Sequence, residues 1–318
     1  MTYAQYGTIQ ATDYNTLVGA NPGSTANALN TVWATGSGFA GYGQTAEANV
    51  AAGDTITASK WANLVNKTAN SASHQGSSLS AVTAPVAGGT VAYLANIPTN
   101  LTTIYTNKLN AATQGSTVAN TVTTASTWSN IATWTHTVTF ANGDAARYFF
   151  NSGGQLKVTV SHPTGTGINL LLNNLCSNVG TVVMSAPSTG TATIASTSYN
   201  GITKVGGGNP GGATISTNSG YYAMTTSNAN VFTQLASTGP AGYLSTFVRV
   251  IAKSNGTQGS NSDAGSVITL YTVWDEIPNG LVVSTGSSTT VTAQAPETTY
   301  LGNTWGTIAI AGSVVVAN

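Results

Sequence analysis

A mainly β fold is what this sequence predicts: an antiparallel β-sandwich or jelly roll over 116–318, preceded over 1–115 by a region of short helices. Three observations carry that expectation. Beyond position 116, apolar and polar residues alternate with period two in several runs, the pattern of half-buried strands. Clusters of Gly, Asn, Ser and Pro punctuate those runs at turn spacing. Before position 116, apolar residues recur instead at intervals of three and four, the spacing of one helix face.

The N-terminal region contains a duplicated motif at 8–18 and 55–65. Thr8-Ile9-Gln10-Ala11-Thr12-Asp13-Tyr14-Asn15-Thr16-Leu17-Val18 is matched by Thr55-Ile56-Thr57-Ala58-Ser59-Lys60-Trp61-Ala62-Asn63-Leu64-Val65. Each copy reads as an extended entry, an N-cap at Thr12 or Ser59, and a short helix. Tyr14 and Leu17, like Trp61 and Leu64, are three apart and share a helix face. Ile9, Tyr14, Leu17, Ile56, Trp61 and Leu64 are therefore the expected attachment and packing residues. The segment 26–33 reads as another short helix, and the Gly-rich run 36–44 as a turn region. From 71 to 89 a loose Ser-, Ala- and Gly-rich stretch is expected. Leu94, Ile97, Leu101, Ile104, Tyr105 and Leu109 then mark a helix with Pro98 in its first turn. Its single apolar stripe should pack on the repeat or on another chain.

Strands are expected at Trp134-Thr135-His136-Thr137-Val138-Thr139-Phe140, at Arg147-Tyr148-Phe149-Phe150 after a turn at 141–144, and at 155–160 after a turn at 151–154. Further strands are expected at 244–252, 267–274 and 305–316. The stretch 180–238 reads as loop-rich, with long insertions. Asp144 and Arg147 should form a salt bridge that pins the first of these hairpins.

Charge is nearly absent. Eight Lys+Arg and eight Asp+Glu make 5% of 318 residues, against about 25% in an ordinary domain. With 41% hydrophobic residues and no net charge the chain does not have the composition of a disordered one. Zero net charge also removes the self-repulsion that keeps monomers apart, which suits a permanent assembly, a homo-oligomer included. No basic patch is present for nucleic acid, since only Arg147 and Arg249 offer guanidinium groups and the six Lys are scattered. Cys176 is the only cysteine, so no intrachain disulfide is possible, and it reads as a packed side chain. Residues 1–7 lack the basic and apolar regions of a signal peptide, and no apolar run approaches a membrane span of about 20 residues. An uncharged surface without an export signal is the combination expected of a virus particle released by lysis.

No catalytic, metal or cofactor site is expected. His74, His136 and His162 show no metal-ligand spacing and no accompanying carboxylates. Asp275-Glu276 is the one carboxylate pair, but adjacent strand residues face opposite sides, a poor arrangement for glycoside hydrolysis. Ca²⁺ binding there would need help from Asp263 or Asp144. Gly206-Gly207-Gly208-Asn209-Pro210-Gly211 matches G-x-G-x-x-G without the following helix that a dinucleotide site requires. Tyr221, Tyr222 and Tyr243 are the candidate ligand-binding residues, because aromatic faces stack on sugar rings.

The doublet at 8–18 and 55–65, together with Thr139-Phe140-Ala141-Asn142-Gly143-Asp144-Ala145-Ala146-Arg147-Tyr148-Phe149-Phe150-Asn151-Ser152-Gly153-Gly154, resembles structural proteins of tailed-bacteriophage virions, of the tail fibre or tail and neck appendage type. The resemblance implies a non-enzymatic particle component whose partners are other virion proteins, with host-surface glycan as a further contact. It assigns no catalytic or ligand-binding residue. The alternatives are a capsid, collar or decoration protein without a receptor role, and a polysaccharide-degrading enzyme with two facing carboxylates drawn from Asp144, Asp263, Asp275, Glu276 and Glu297.

Overall fold

The computed structural model describes residues 10–19, 27–87, 96–217, 219–237, 241–258, 262–276 and 280–317. Its N-terminal helices are α1 (Ala11–Val18), α2 (Leu29–Val32), α3 (Ala58–Gln75) and α4 (Asn96–Thr106). Both copies of the duplicated motif form helices, but their caps sit earlier than the hydroxyl residues Thr12 and Ser59. Gln10 caps α1 in a reciprocal box with Asp13, and the Thr57 side chain accepts from the Lys60 N–H at the start of α3. A side chain caps best from an extended backbone position, which Gln10 and Thr57 occupy, one residue outside each helix. The second helix also runs on into the first five residues of the stretch expected to be loose, to the left-handed C-cap Gly76, beyond which 77–86 forms neither helix nor strand. Its continuation is held by burial of Thr68, Ser71, Ala72, His74 and Gln75, small or polar residues that carry no hydrophobic periodicity.

Tyr14, Leu17, Trp61 and Leu64 meet in one apolar core with residues of α2 and α4. The duplicated aromatics pack against each other edge to face, their centroids 5.4 Å apart, a contact of roughly 1 kcal/mol beyond area burial. Glu47 is buried beside this core and joins three helices. It accepts from the Tyr14 hydroxyl at 3.3 Å and from Lys67 Nζ at 2.7 Å, while its backbone exchanges two hydrogen bonds with the Asn30 amide. Leu301, from the far end of the chain, completes this core.

The remainder is mainly β. The strands are β1 (Gln114–Thr123), β2 (Ile131–Thr139), β3 (Gln155–Ser161), β4 (Thr181–Met184), β5 (Ala192–Ile194), β6 (Thr197–Tyr199), β7 (Ile202–Val205), β8 (Ala213–Ile215), β9 (Ala229–Leu235), β10 (Phe247–Ser254), β11 (Val267–Asp275), β12 (Ser288–Pro296) and β13 (Ala309–Val316). One antiparallel sheet has the order β1-β12-β3-β4-β7 and the other β13-β2-β11-β10-β9-β8, while β5 and β6 form a small hairpin. The chain changes sheet between β1 and β2, β2 and β3, β7 and β8, β11 and β12, and β12 and β13. Alternation, unbroken in β2 and β11 and broken only by a buried pair at one end of β10 and of β12, sends every second side chain into one shared core. Trp134 of β2 and Trp274 of β11 lie there with centroids 4.8 Å apart.

Two helices interrupt the strands. α5 (Gly143–Asn151) stands where a strand is expected at 147–150, and α6 (Ile168–Val179) packs on β3 of one sheet and on β9 and β10 of the other. The stretch 180–238 is not an insertion. It supplies β4 and β7 to one sheet and β8 and β9 to the other, and the Gly-rich 206–212 run is the crossover between sheets. The two sheets converge where β1 and β13 meet. A Cβ on Gly312 would lie 2.6 Å from both Asn120 Oδ1 and Val122 Cγ2, so only glycine lets these edges approach. No helix among the described residues is long and apolar enough to cross a membrane.

Candidate functional site at the seam between helices and sheets

The seam is built on α5. Asn142, in extended conformation, caps the helix by accepting from the Ala145 N–H at 2.8 Å. Asp144 in the first turn faces Arg147 one turn later, Arg147 Nη2 donating at 3.1 Å. The predicted ion pair is therefore present, but along a helix. Asn142 capping and an acidic first turn outweigh the β preference of Tyr148, Phe149 and Phe150, of which the two phenylalanines are both buried in the core and Tyr148 is half-buried.

Arg147 is 1% exposed. Its guanidinium donates to the carbonyls of Ala40 at 2.9 Å and Thr35 at 2.8 Å. Asn151, at the end of the same helix, donates to the Gly41 carbonyl at 3.1 Å. The loop 35–43 is thus held by side chains rather than by a sheet ladder. It can follow this path because Gly41 has φ 102°, and a Cβ there would collide with the Thr35 carbonyl. His74 of α3 adds a further tie, Nε2–H donating to the Ser152 carbonyl at 3.0 Å. Tyr42 donates to the Lys108 carbonyl at 3.0 Å and accepts from Gln75 Nε2 at 2.7 Å.

Beside the seam lies a cleft of ≈ 290 Å³ lined by Ser37, Gly38, Phe39, Tyr105, Lys108 and Thr189 among others. A second, more apolar groove of ≈ 210 Å³ runs between α3, α4 and the 79–82 segment.

The residues expected to pack do so: Tyr14, Leu17, Trp61 and Leu64 are buried and Ile56 is half-buried against them, while Ile9 lies outside the described residues. The expected tyrosine site is corrected. Tyr221 is fully buried and stacks on Phe150 at 4.3 Å, with 15° between the rings, so neither face is open to a sugar. Tyr222 is half-buried, its hydroxyl 2.5 Å from the Gly38 carbonyl and 2.6 Å from Asn151 Oδ1. Tyr243 is half-buried against the sheet core. The three do not form an open aromatic platform, because the polar tip of Tyr222 and the ring of Tyr221 fasten the seam.

The carboxylates are likewise dispersed. Asp144 accepts from Arg147 and from the Ser262 N–H, near Asp263, whose carbonyl abuts Gly143. Asp275 and Glu276 lie at the opposite end of β11, eight residues from Val267, or about 26 Å at strand rise. Neither Asp144 nor Asp263 can share a Ca²⁺ with them. Glu276 is buried and accepts from the Gly280 and Leu281 N–H groups. Burial raises the pKa of its carboxyl, and those two hydrogen bonds oppose the shift. Glu297 accepts from its own neighbours Thr298 and Thr299. No group of three or more His, Cys, Asp or Glu suited to a metal ion occurs among the described residues.

Sequence reasoning missed one polar chain. Ser287 Oγ lies 2.9 Å from His162 Nδ1, and His162 Nε2 lies 3.0 Å from Asn169 Oδ1. The order hydroxyl, imidazole, amide resembles a nucleophilic triad. Ser287 is fully buried, however, with Trp128 Nε1 also directed at its oxygen. A substrate carbonyl has no approach, and the chain acts as an internal tie between α6 and the strand-flanking loops. Cys176 is buried in the core and its thiol pKa is raised by that burial, as expected of a packed side chain.

No protein-family model, curated protein or solved structure matches this chain.

Proposed function

We propose that the chain is a structural component of a tailed-phage virion, a tail fibre or tail or neck appendage protein, that works without catalysis. One observation carries this reading beyond the resemblance. The edge strands β1 and β13 contain no charged residue over ten and eight positions. They expose Val118 at 41% and Val315 at 71%. Sheet proteins that live as monomers guard such edges with Lys, Pro or bulges. β1 has one register irregularity, between Gln114 and Thr117, and then an unbroken ladder to Thr123. Edges of this kind suit a protein whose surface is covered by neighbouring particle proteins or by further copies of itself.

The decisive experiment is antibody-gold labelling of source particles in the electron microscope. Label on tail or neck appendages is the expected result. Label spread over the head would transfer the chain to the capsid or decoration class, and absence from disrupted as well as intact particles would end the virion reading.

A further inference from the structure

We infer that the cleft between the 37–40 loop, the end of α4 and the loop after β4 is a binding site for a carboxylate-bearing sugar. This deepens the host-glycan part of the reading above and rests on it for its biological source, though not for its chemistry.

Four features of the cleft point the same way. The first is shape: at ≈ 290 Å³ it stands at the lower end of small-molecule sites, roughly 300 Å³ upward, which is room for a single sugar unit. The second is aromatic lining. Phe39 is 38% exposed, yet its other side rests on the Tyr222 ring at 4.2 Å. An exposed phenyl ring with a fixed backing offers an apolar face at little ordering cost. Tyr105 also lines the cleft, its ring carrying the Lys108 ammonium.

The third feature is a cation without a counter-charge. Lys108 is half-buried, its Nζ 4.2 Å from the Tyr105 ring centroid and 3.2 Å from the Tyr105 carbonyl, to which it donates. An ammonium group has three donors, and that carbonyl is its one hydrogen-bond acceptor among the described residues. Neither ion pair among the described residues includes it, and no carboxylate lines the cleft. Burial lowers its pKa with no opposing charge to restore it. A chain with only eight basic residues places one of them where solvation is reduced and where a ring face and one carbonyl, but no carboxylate among the described residues, answer its charge. A ligand carboxylate would supply that counter-charge.

The fourth feature is rigidity. Gly38 is fixed through its carbonyl by Asn151 and Tyr222, and Lys108 through its carbonyl by Tyr42. Both walls of the cleft are thereby set before any ligand arrives. Ser37 and Thr189 add hydroxyl groups for the ring hydroxyls of a sugar.

The test is a titration of the full chain with trigalacturonate and, in parallel, with neutral trigalactose, followed by calorimetry and by amide chemical shifts. Expected are saturable binding of the acidic trisaccharide, shifts centred on Phe39, Tyr105 and Lys108, and at least about tenfold weaker binding of the neutral one. Lys108→Met, which keeps the stem over Tyr105, should abolish the preference for the acidic sugar, and Lys108→Arg should keep it. Phe39→Ala should weaken both sugars alike. Thermal melts of each variant identify any that fail to fold, and the preference of the wild-type chain itself remains decisive. Equal affinity for the two sugars, shifts elsewhere on the molecule, no binding at all, or an unchanged preference in a folded Lys108→Met would each overturn the proposal. Loss of sugar binding leaves the particle labelling untouched, and sugar binding by a chain absent from particles would sink the virion reading alone.

Discussion

Arg147 shows how a charge-poor chain spends a rare cation. Its guanidinium is enclosed at the seam, where two loop carbonyls and Asp144 take its donors. Arg147→Met should remove these bonds and leave the Thr35 and Ala40 carbonyls without their donor, lowering stability by about 3–5 kcal/mol. Denaturant unfolding would measure it, and a loss below about 1 kcal/mol would show that the seam does not depend on this group. Tyr221 makes a contrasting case. Because its ring is enclosed against Phe150, Tyr221→Ala should behave as a core truncation and cost about 3–5 kcal/mol. A variant of wild-type stability would contradict the enclosed stack. Neither residue discloses its place through spacing alone, since Arg147 depends on a loop 107 and 112 positions away and Tyr221 on a helix 71 positions away.

At the scale of elements, period-two alternation located β2, β3, β10 and β11 well, because one face of each is buried in the common core and the other is not. β4 to β9 were illegible for the opposite reason. β4 to β8 are three or four residues long, too short to display a period, and β9, as long as β3, buries two adjacent residues instead of alternating, so strand pairing rather than pattern defines them. α5 has the aromatic run of a strand, and the local signal that favours the helix instead is the cap at Asn142. Asn142→Ala should therefore destabilise the protein by about 1 kcal/mol and loosen protection of the α5 amides in hydrogen exchange. An unchanged exchange profile would mean that tertiary packing alone holds the helix. The edge strands are testable in the same way. Charges introduced by Val118→Lys and Val315→Lys should leave folding within about 0.5 kcal/mol and reduce self-association in sedimentation. Association that persists in the double variant would place the contact elsewhere.

At the scale of the molecule, all three histidines are buried. Burial lowers the pKa of each, and that of His74 from 6.5 to about 4. The folded state thus resists protonation that the unfolded chain accepts. Stability is fully present above about pH 6.5 and falls as the pH drops toward the folded values, the direction set by an unfolded state that binds more protons. For His74, with its shift from 6.5 to about 4, the loss by pH 4 is roughly 3 kcal/mol at about 1.4 kcal/mol per unit. Unfolding titrations at pH 7.5 and 4.5 would measure the fall. His74→Gln, which keeps a donor for the Ser152 carbonyl, should flatten it, and an equal slope in both proteins would remove His74 from the account. The tie between Gln44 and Gly302, 258 residues apart, has a kinetic consequence. Folding that must close so long a loop is slow, in the millisecond-to-second range typical of sheet topologies or beyond. During that interval β1 and β13 are exposed beside chains of identical sequence, so correct closure competes with premature pairing between molecules. Yield on refolding should therefore fall steeply with concentration, even where the finished protein tolerates crowding.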